Sequence, residues 1–384
     1  MSVDFSFQRH ESTRVRSGLL KLGDLNLETP ILWLGQQIYG VPEPWTQFAG
    51  ISGIMVNASE VLSYARPQQG IHEFLSCPGI PVMMDSGGFL FLKKKCLTVT
   101  PDDILELYRS SKPDIGVILD HPLDPEETTK VNNRRWQKTL ENTRRMIEGN
   151  SGELALMPVV HGHTLDEVRE ACEAVKAVME TRLIGIGSLV PLIKGNSTSK
   201  KFGDPNRSKT ATTGRTSGMA SRQFLIEAVK LVREEFPDAF LHVFGIGSVT
   251  TMHLMFSLGV DSIDSISWRL KAAFGMIQLP GVPDRYPRPK KSTNKTRAVL
   301  SASEGQILIQ CKCPVCVELS LEERIEVLDN SFRKRAIHNA WTFVQEGMTF
   351  REYAKQSHNS LEQFVEDRLQ RSPMRVFLDQ AFGS

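Results

Sequence analysis

The sequence predicts an α/β fold, a (β/α)₈ TIM barrel with a zinc-binding subdomain and C-terminal helices, and three observations predict it. Eight short apolar runs rich in β-branched residues recur between residues 30 and 266. Helical segments lie between many of them, so strand and helix alternate as a parallel sheet requires. Polar residues or glycines follow five of the runs at once, where a barrel places its functional face. A doubly wound sheet, the alternative, gives no reason for that last pattern.

Taken in order, the runs are Pro30–Leu34, Gly53–Val56, Pro81–Met84, Ile115–Leu119, Leu154–Val160, Leu183–Ile186, Leu241–Ile246 and Val260–Ile266. Helices are expected from Pro101, whose first turn carries two acids, and over Thr128–Glu148, Thr164–Met179, Ser217–Phe236 and Ser248–Leu258. Ser248 reads as an N-cap, because its hydroxyl can accept from an orphan N–H of the first turn. Two segments break the rhythm. Gly195 to Arg222 is rich in Ser, Thr, Gly and basic residues, with Asp204 its only acid, and reads as a long mobile loop on the functional face. Pro280 to Arg297 sets Arg285, Arg288, Lys290, Lys291, Lys295 and Arg297 among prolines. On a chain of formal net charge +2, two such loops predict a phosphate-binding surface. From Glu322 onward the pattern is helical. The expected division is 1–280 for the barrel, 281–345 for the zinc-binding subdomain and 346–384 for a helical extension.

Composition narrows the class. A hydrophobic share of 40% and a charged share of 23% fit a globular chain rather than a disordered or fibrous one. Met1 to Arg16 holds no apolar core of a signal peptide, and no apolar run is long enough to span a bilayer, so a cytoplasmic location is expected. Cys77, Cys96 and Cys172 are scattered and read as reduced thiols. Cys311, Cys313 and Cys316 sit in one tight knuckle, which in a reducing compartment points to metal before disulfide. His338 is the expected fourth ligand; His358 is second choice, because its surroundings are more polar. Four protein ligands close a tetrahedral site, so the expected Zn²⁺ is structural.

Met83-Met84-Asp85-Ser86-Gly87-Gly88-Phe89 delivers an acid, a hydroxyl and two glycines at a strand end. Val117-Ile118-Leu119-Asp120 repeats the pattern, followed by Val159-Val160-His161-Gly162-His163 and Gly185-Ile186-Gly187-Ser188-Leu189. The last run carries Asp261 and Asp264. An acid in an apolar strand is costly to bury unless it is paired or used, so each either meets a cap or an arginine or does chemistry. In a barrel, Asp85, Asp120, His161, the Gly187–Leu189 backbone and Asp264 all face one mouth.

These residues resemble a family. Asp-Ser-Gly-Gly-Phe at 85–89, the strand-terminal Asp120, Gly-Ser-Leu at 187–189, Gly-Val-Asp-Ser-Ile-Asp at 259–264 and Cys-x-Cys-x₂-Cys with a later His-Asn at 338–339 resemble the tRNA-guanine transglycosylases, in order and over roughly residues 20 to 345. The resemblance implies a zinc-containing barrel that removes guanine from a polynucleotide and installs a 7-deazaguanine such as preQ0 at the same sugar. Departures from the tRNA members look more like the DNA-modifying branch, the DpdA-like DNA-guanine transglycosylases. They are His161-Gly-His163 for the usual Gln-Gly-Gly, Ser265 and Ser267-Trp268-Arg269 beyond the acid, and Leu-Phe-Leu-Lys-Lys-Lys after Phe89. DNA is therefore the expected partner, with tRNA the alternative. A homodimer or helper proteins complete the expected partners.

Base exchange without hydrolysis needs a covalent placeholder, which a carboxylate such as Asp264 supplies by attacking C1′. Asp85 is expected to shuttle the proton between departing and entering bases. Asp120 suits a purine's Watson–Crick edge, since a carboxylate accepts from N1–H and the exocyclic amine together. Ser86, His161, Gly187, Ser188 and Leu189 are expected to line the base pocket, and Phe89 to stack on the base. Lys200, Lys201, Arg207, Lys209, Arg215 and Arg269 are expected to hold the polynucleotide backbone. A small-molecule barrel enzyme would want a strand-end lysine or a His-rich metal cluster in the mouth, and neither is present. A non-catalytic barrel subunit would be expected to lack the nucleophile, yet Asp264 and Asp85 are both there.

Overall fold

Side-chain parity along the strands builds both the core and the mouth. The computed structural model describes residues 3–9, 13–64, 70–88, 99–125, 127–190, 214–289 and 298–382. Strands β1 (Val3–Arg9), β2 (Arg16–Leu22) and β3 (Leu25–Thr29) form a small antiparallel sheet in that order. Then come β4 (Ile31–Gly35), β5 (Ile54–Asn57), β6 (Val82–Asp85), β7 (Ile115–Val117), β8 (Leu156–Met157), β9 (Val159–Val160), β10 (Leu183–Ile186), β11 (Phe240–Val243) and β12 (Ser262–Ser265), all joined by parallel pairing. β8 and β9 are halves of one strand, split at Pro158, whose ring nitrogen has no proton to donate. The first half pairs with β7 and the second with β10, so the sheet closes into the eight-position barrel that the sequence predicts.

Successive residues of a strand point to opposite faces. Ile31, Trp33, Met55, Met83, Ile115, Val117, Met157, Val159, Leu183 and Phe240 fill the barrel interior together with Phe5, Leu20, Leu22 and Leu27 of the small sheet. That sheet therefore plugs the end where the strands begin. The alternate residues, Leu32, Leu34, Ile54, Val56, Val82, Met84, Ile184, Leu241, Val243 and Ile263, pack outward against the helices. Two positions beyond Met55 and Met83, the same inward parity falls on Asn57 and Asp85. It likewise selects His161 after Val159, His242 after Phe240, and Ser262 with Asp264. The polar ends of apolar strands are thus delivered into the lumen by register alone.

The helices between strands follow their caps. Thr100 and Asp103 form a capping box for Pro101–Ser111, and Thr164 with Glu167 does the same for Leu165–Val178. Thr128 caps Thr129–Gly149 through the Val131 N–H. One expected cap fails: Ser248 bonds Thr251 Oγ1 at 2.7 Å, the chain makes a turn over 248–251, and the helix is confined to Met252–Ser257. The segment expected as a loop to residue 222 is helical from Gly214, so Arg215 lies in the first turn of Gly214–Glu235.

After the barrel, β13 (Ile277–Leu279) and β14 (Val282–Arg285) pair as a hairpin. The basic stretch expected to face phosphate is partly committed elsewhere. Arg285 pairs with the buried Glu304 at 2.8 Å, and Arg288 pairs with Glu322. Lys290, Lys291, Lys295 and Arg297 lie outside the described residues. Helix Phe332–Ala354 then runs unbroken through residue 345. No helix among the described residues is long and apolar enough to cross a membrane.

Of the two acids in the last barrel strand segment, Asp261 is the one that meets arginines. It is 1% exposed, accepts from Arg233 Nη2 at 2.5 Å and lies 3.5 Å from Arg16 Nε. Arg233 also donates to the carbonyls of Gly259, Phe236 and Ala239. Arg16 stacks on Phe7 at 3.4 Å, tying the plug to the barrel. Removing the carboxylate would leave two buried guanidinium groups uncompensated. Asp261→Ala is expected to cost about 3–5 kcal/mol in chemical denaturation; a loss below about 1 kcal/mol would show that this cluster does not hold the base of the barrel.

Candidate active site and metal centre

Three carboxylates share the mouth. Asp85 ends β6, Asp120 follows β7 and Asp264 sits in β12. Asp85 is pushed up to about 8, first by burial, then by the charges of Asp120 and Asp264; the Gly87 and Ser86 N–H groups pull only partly the other way. Asn57, at the end of β5, donates to Asp85 Oδ2 at 3.0 Å, and its own carbonyl accepts from the Ser59 N–H at 2.9 Å. Tyr108 reaches from its helix to bond the Met84 and Val117 carbonyls at 3.1 and 2.6 Å, locking β6 to β7 just below the acids.

Asp120 is 7% exposed and is held on both oxygens. Ser86 Oγ donates to Oδ1 at 3.2 Å, and His161 Nε2 lies 3.0 Å from Oδ2 with its N–H off the direct line. His161 Nδ1 meets Ser188 Oγ at 2.9 Å, and that oxygen accepts the Leu123 N–H at 2.8 Å. A carboxylate beside Nε2 requires a proton there, so Ser188 donates to Nδ1. Ser188 takes up the left-handed region at φ 64° to do this, a strain of about 1–3 kcal/mol that surrounding contacts must offset. Two glycines make the arrangement fit. A Cβ on Gly187 would stand 2.5 Å from His161 Cε1, and one on Gly88 would strike Asp120. The Gly187 N–H is spent in the sheet on the Val160 carbonyl, and Leu189 is buried in the outer core.

Asp264 has a side chain 13% exposed, and its Oδ1 accepts the Gly245 N–H at 2.5 Å. His242 stands 3.4 Å from the same oxygen. The structure thus brings Asp85, Ser86, Asp120, His161, Gly187, Ser188, Leu189 and Asp264 to one end of the barrel. Arg269 lies beyond β12, where its guanidinium is engaged by Gln37 and the Val41 carbonyl. Phe89, Lys200, Lys201, Arg207 and Lys209 lie outside the described residues. Sequence reading missed Asn57 and His242. Asn57 obeys the same rule as Asp85, a polar residue directly after an apolar run; His242 is hidden inside its run, and only its parity gives it away.

The second centre lies in the subdomain after the barrel. Cys311, Cys313 and Cys316 place Sγ at 3.5, 3.6 and 3.5 Å from His338 Nδ1, and all four donor atoms lie within 4.8 Å of one another. Bonds of about 2.3 Å to sulfur and about 2.0 Å to nitrogen in a tetrahedron separate S and N by about 3.5 Å, so the donor set fits a four-coordinate metal ion. His338 Nε2 donates to the Gln278 carbonyl at 3.1 Å, which leaves the Nδ1 lone pair facing the sulfurs. His358 is no part of this group; it pairs with Glu362 at 3.5 Å.

With the geometry in place, comparison with known proteins is informative. Residues 12–374 match the family model described as TGT: Queuine tRNA-ribosyltransferase. Similar proteins include the tRNA-guanine(15) transglycosylase of Thermococcus kodakarensis, 25% identical over 90% of this chain and 53% of that protein. That of Pyrococcus abyssi is 27% identical over 72% and 40%, and that of Archaeoglobus fulgidus is 27% identical over 80% and 55%. The chain spans about half the length of the curated relatives it matches.

Two predictions follow from the geometry. Between the ordinary carboxyl value of about 3.9 and about 8, folded Asp85 keeps a proton that the unfolded chain gives up, so its contribution lowers stability as pH rises through that window. Asp85→Asn lacks the window, and its melting temperature should exceed the wild type's by a few degrees at pH 8 while matching it near pH 4. A difference that stays flat from pH 4 to pH 8 would contradict the placement of a protonated acid here. For the second centre, metal analysis should find one ion per chain, and Cys313→Ser should lose it together with solubility and thermal stability, because metal binding energy is folding energy. A triple cysteine variant that retains a full complement of metal would refute the ligand set.

Proposed function

Because the chain belongs to the queuine tRNA-ribosyltransferase family, we propose that it is a guanine transglycosylase, a pentosyltransferase that exchanges guanine in tRNA for a 7-deazaguanine such as preQ0. One observation carries this reading. Two acids in one mouth have opposite environments, Asp85 pushed up to about 8 and Asp264 held as an acceptor by the Gly245 N–H. An acid that keeps its proton and a second carboxylate standing as an acceptor can divide the roles of acid and nucleophile between them.

The target nucleotide leaves its stack to enter the mouth, at a cost of a few kcal/mol. Asp264 attacks C1′ from the face opposite the base, an oxygen–carbon bond forms, and the C1′–N9 bond breaks with its electron pair on guanine. Asp85 gives its proton to the departing guanine and recovers one from the entering base. That base displaces the Asp264 ester, so two inversions give overall retention. Asp120 accepts from the purine's N1–H and amine; the His161–Ser188 pair and Ser86 hold Asp120 in place. Phe89 would stack on the base. The four-ligand centre is proposed to hold Zn²⁺ with no open position, which gives it a structural task. A cytoplasmic location suits such a reaction.

The expected preference for DNA gives way to tRNA. The relatives named above are tRNA enzymes by description. Arg269 is already engaged by Gln37 and Val41, and the lysines on which the DNA reading leaned lie outside the described residues.

Labelled guanine incubated with the protein and either tRNA or duplex DNA tests the proposal. Label should enter tRNA, and Asp264→Asn should lower its uptake about 10³-fold or more, since the covalent route is lost. Uptake into DNA alone would restore the DNA reading. Uptake into neither would overturn base exchange.

A further inference from the structure

β11 brings a second histidine to the mouth. His242 is fully buried on the inward face of its strand, directly across from Ser262 in the ladder. Its Nδ1 lies 2.7 Å from Ser262 Oγ, and its Nε2 lies 3.4 Å from Asp264 Oδ1. The Phe244 ring closes over the imidazole edge-on at 4.3 Å. Nε2 has no aligned hydrogen-bond partner among the described residues. A buried ring nitrogen left so is destabilising until an acceptor comes into line with it, and Asp264 Oδ1 is the acceptor within reach.

The tautomer follows from the neighbours. A bare lone pair on Nε2 would repel the carboxylate, so the proton sits on Nε2 and Ser262 donates to Nδ1. This is the same Ser–His–Asp sequence of contacts that His161 makes between Ser188 and Asp120. Oδ1 of Asp264 therefore faces two N–H groups, the Gly245 amide at 2.5 Å and His242 Nε2.

We propose that His242 is a positioning residue for Asp264: the Gly245 amide holds Oδ1, the His242 Nε2–H standing 3.4 Å away comes into line with the same oxygen during reaction, and Oδ2 forms the bond to C1′. The inference rests on Asp264 being the nucleophile of base exchange. During attack Oδ2 becomes the ester oxygen and Oδ1 its carbonyl. When the entering base breaks the Oδ2–C1′ bond, the electron pair returns to the carboxylate, and the two donors at Oδ1 stabilise the charge that reappears. Donors aimed at an oxygen whose charge changes during reaction act on the barrier rather than on substrate binding.

Three variants test this on the full chain, with exchange of labelled guanine into tRNA, the rate of covalent adduct formation, KM for tRNA and Tm as readouts. His242→Gln sets an amide N–H near the Nε2 position and should retain a third or more of wild-type kcat. His242→Asn sets its amide at the Nδ1 position, where it can meet Ser262 and not Asp264; His242→Leu offers neither. Both should lower kcat and adduct formation about 10²-fold with KM unchanged. An Asn variant as active as wild type would overturn the inference, and so would an Asn variant more active than the Gln variant, which would assign His242 to Ser262 alone. Should the Asn protein fail to fold, the Gln protein decides: a hundredfold loss at wild-type Tm counts against the inference. Exchange by wild type with an unaffected Asn variant removes only this inference. No exchange by wild type, into tRNA or DNA, removes the transglycosylase reading and this one with it.

Discussion

Burial and the neighbouring carboxylates of Asp120 and Asp264 push the Asp85 carboxyl up to about 8, and the local structure is arranged around that constraint. Asp120 is in contact with Ser86 and His161, and Asp264 accepts the Gly245 amide with His242 Nε2 standing 3.4 Å away. Among the described residues, Asp85 has only Asn57 and two nearby backbone amides to offset burial and the two neighbouring acids, which push it up to about 8. In the proposed reaction, that asymmetry would supply a proton donor and a nucleophile from the same residue type.

That arrangement needs a frame that does not yield. Below it, Arg16, Arg233 and Asp261 tie the plug to the start of β12. Beyond it, helix Phe332–Ala354 carries His338 of the four-donor group and, next to it, Asn339. Asn339 donates to the Trp268 and Met276 carbonyls at 3.0 and 3.1 Å and accepts the Gln278 N–H at 2.9 Å. Trp268 in turn donates to the Gly35 carbonyl at 3.1 Å. The segment that follows Asp264 is thus clamped from the metal centre on one side and from β4 on the other. A disturbance at the Cys311–Cys313–Cys316–His338 group would reach Asp264 through this clamp.

Much of this was legible in the sequence because strand parity is a local property. Apolar runs ending in polar residues point to Asp85, Asp120, His161 and Asp264, and the knuckle spacing points to the three cysteines that converge with His338. Other features depend on distant partners. Asp261 and Asp264 stand in one strand segment, and only the arginines brought from residues 16 and 233 separate their roles. Arg285 and Arg288 read as free cations until Glu304 and Glu322 fold back onto them. Ser248 has the residue type of a cap, but its hydroxyl is bonded to Thr250 and Thr251 instead. His242 sat in an apolar run and drew no notice, because its importance lies across the ladder.

The claim on which the account turns is that one mouth carboxyl, Asp85, keeps its proton at neutral pH. Infrared titration of the isotope-labelled carboxyl groups, with Asp85→Asn as the difference control, reads this directly. The account predicts a protonated carboxyl band at pH 7 that fades near pH 8 and is absent from the Asn variant. A wild-type protein with every carboxyl ionised by about pH 5, within the ordinary range, would contradict it.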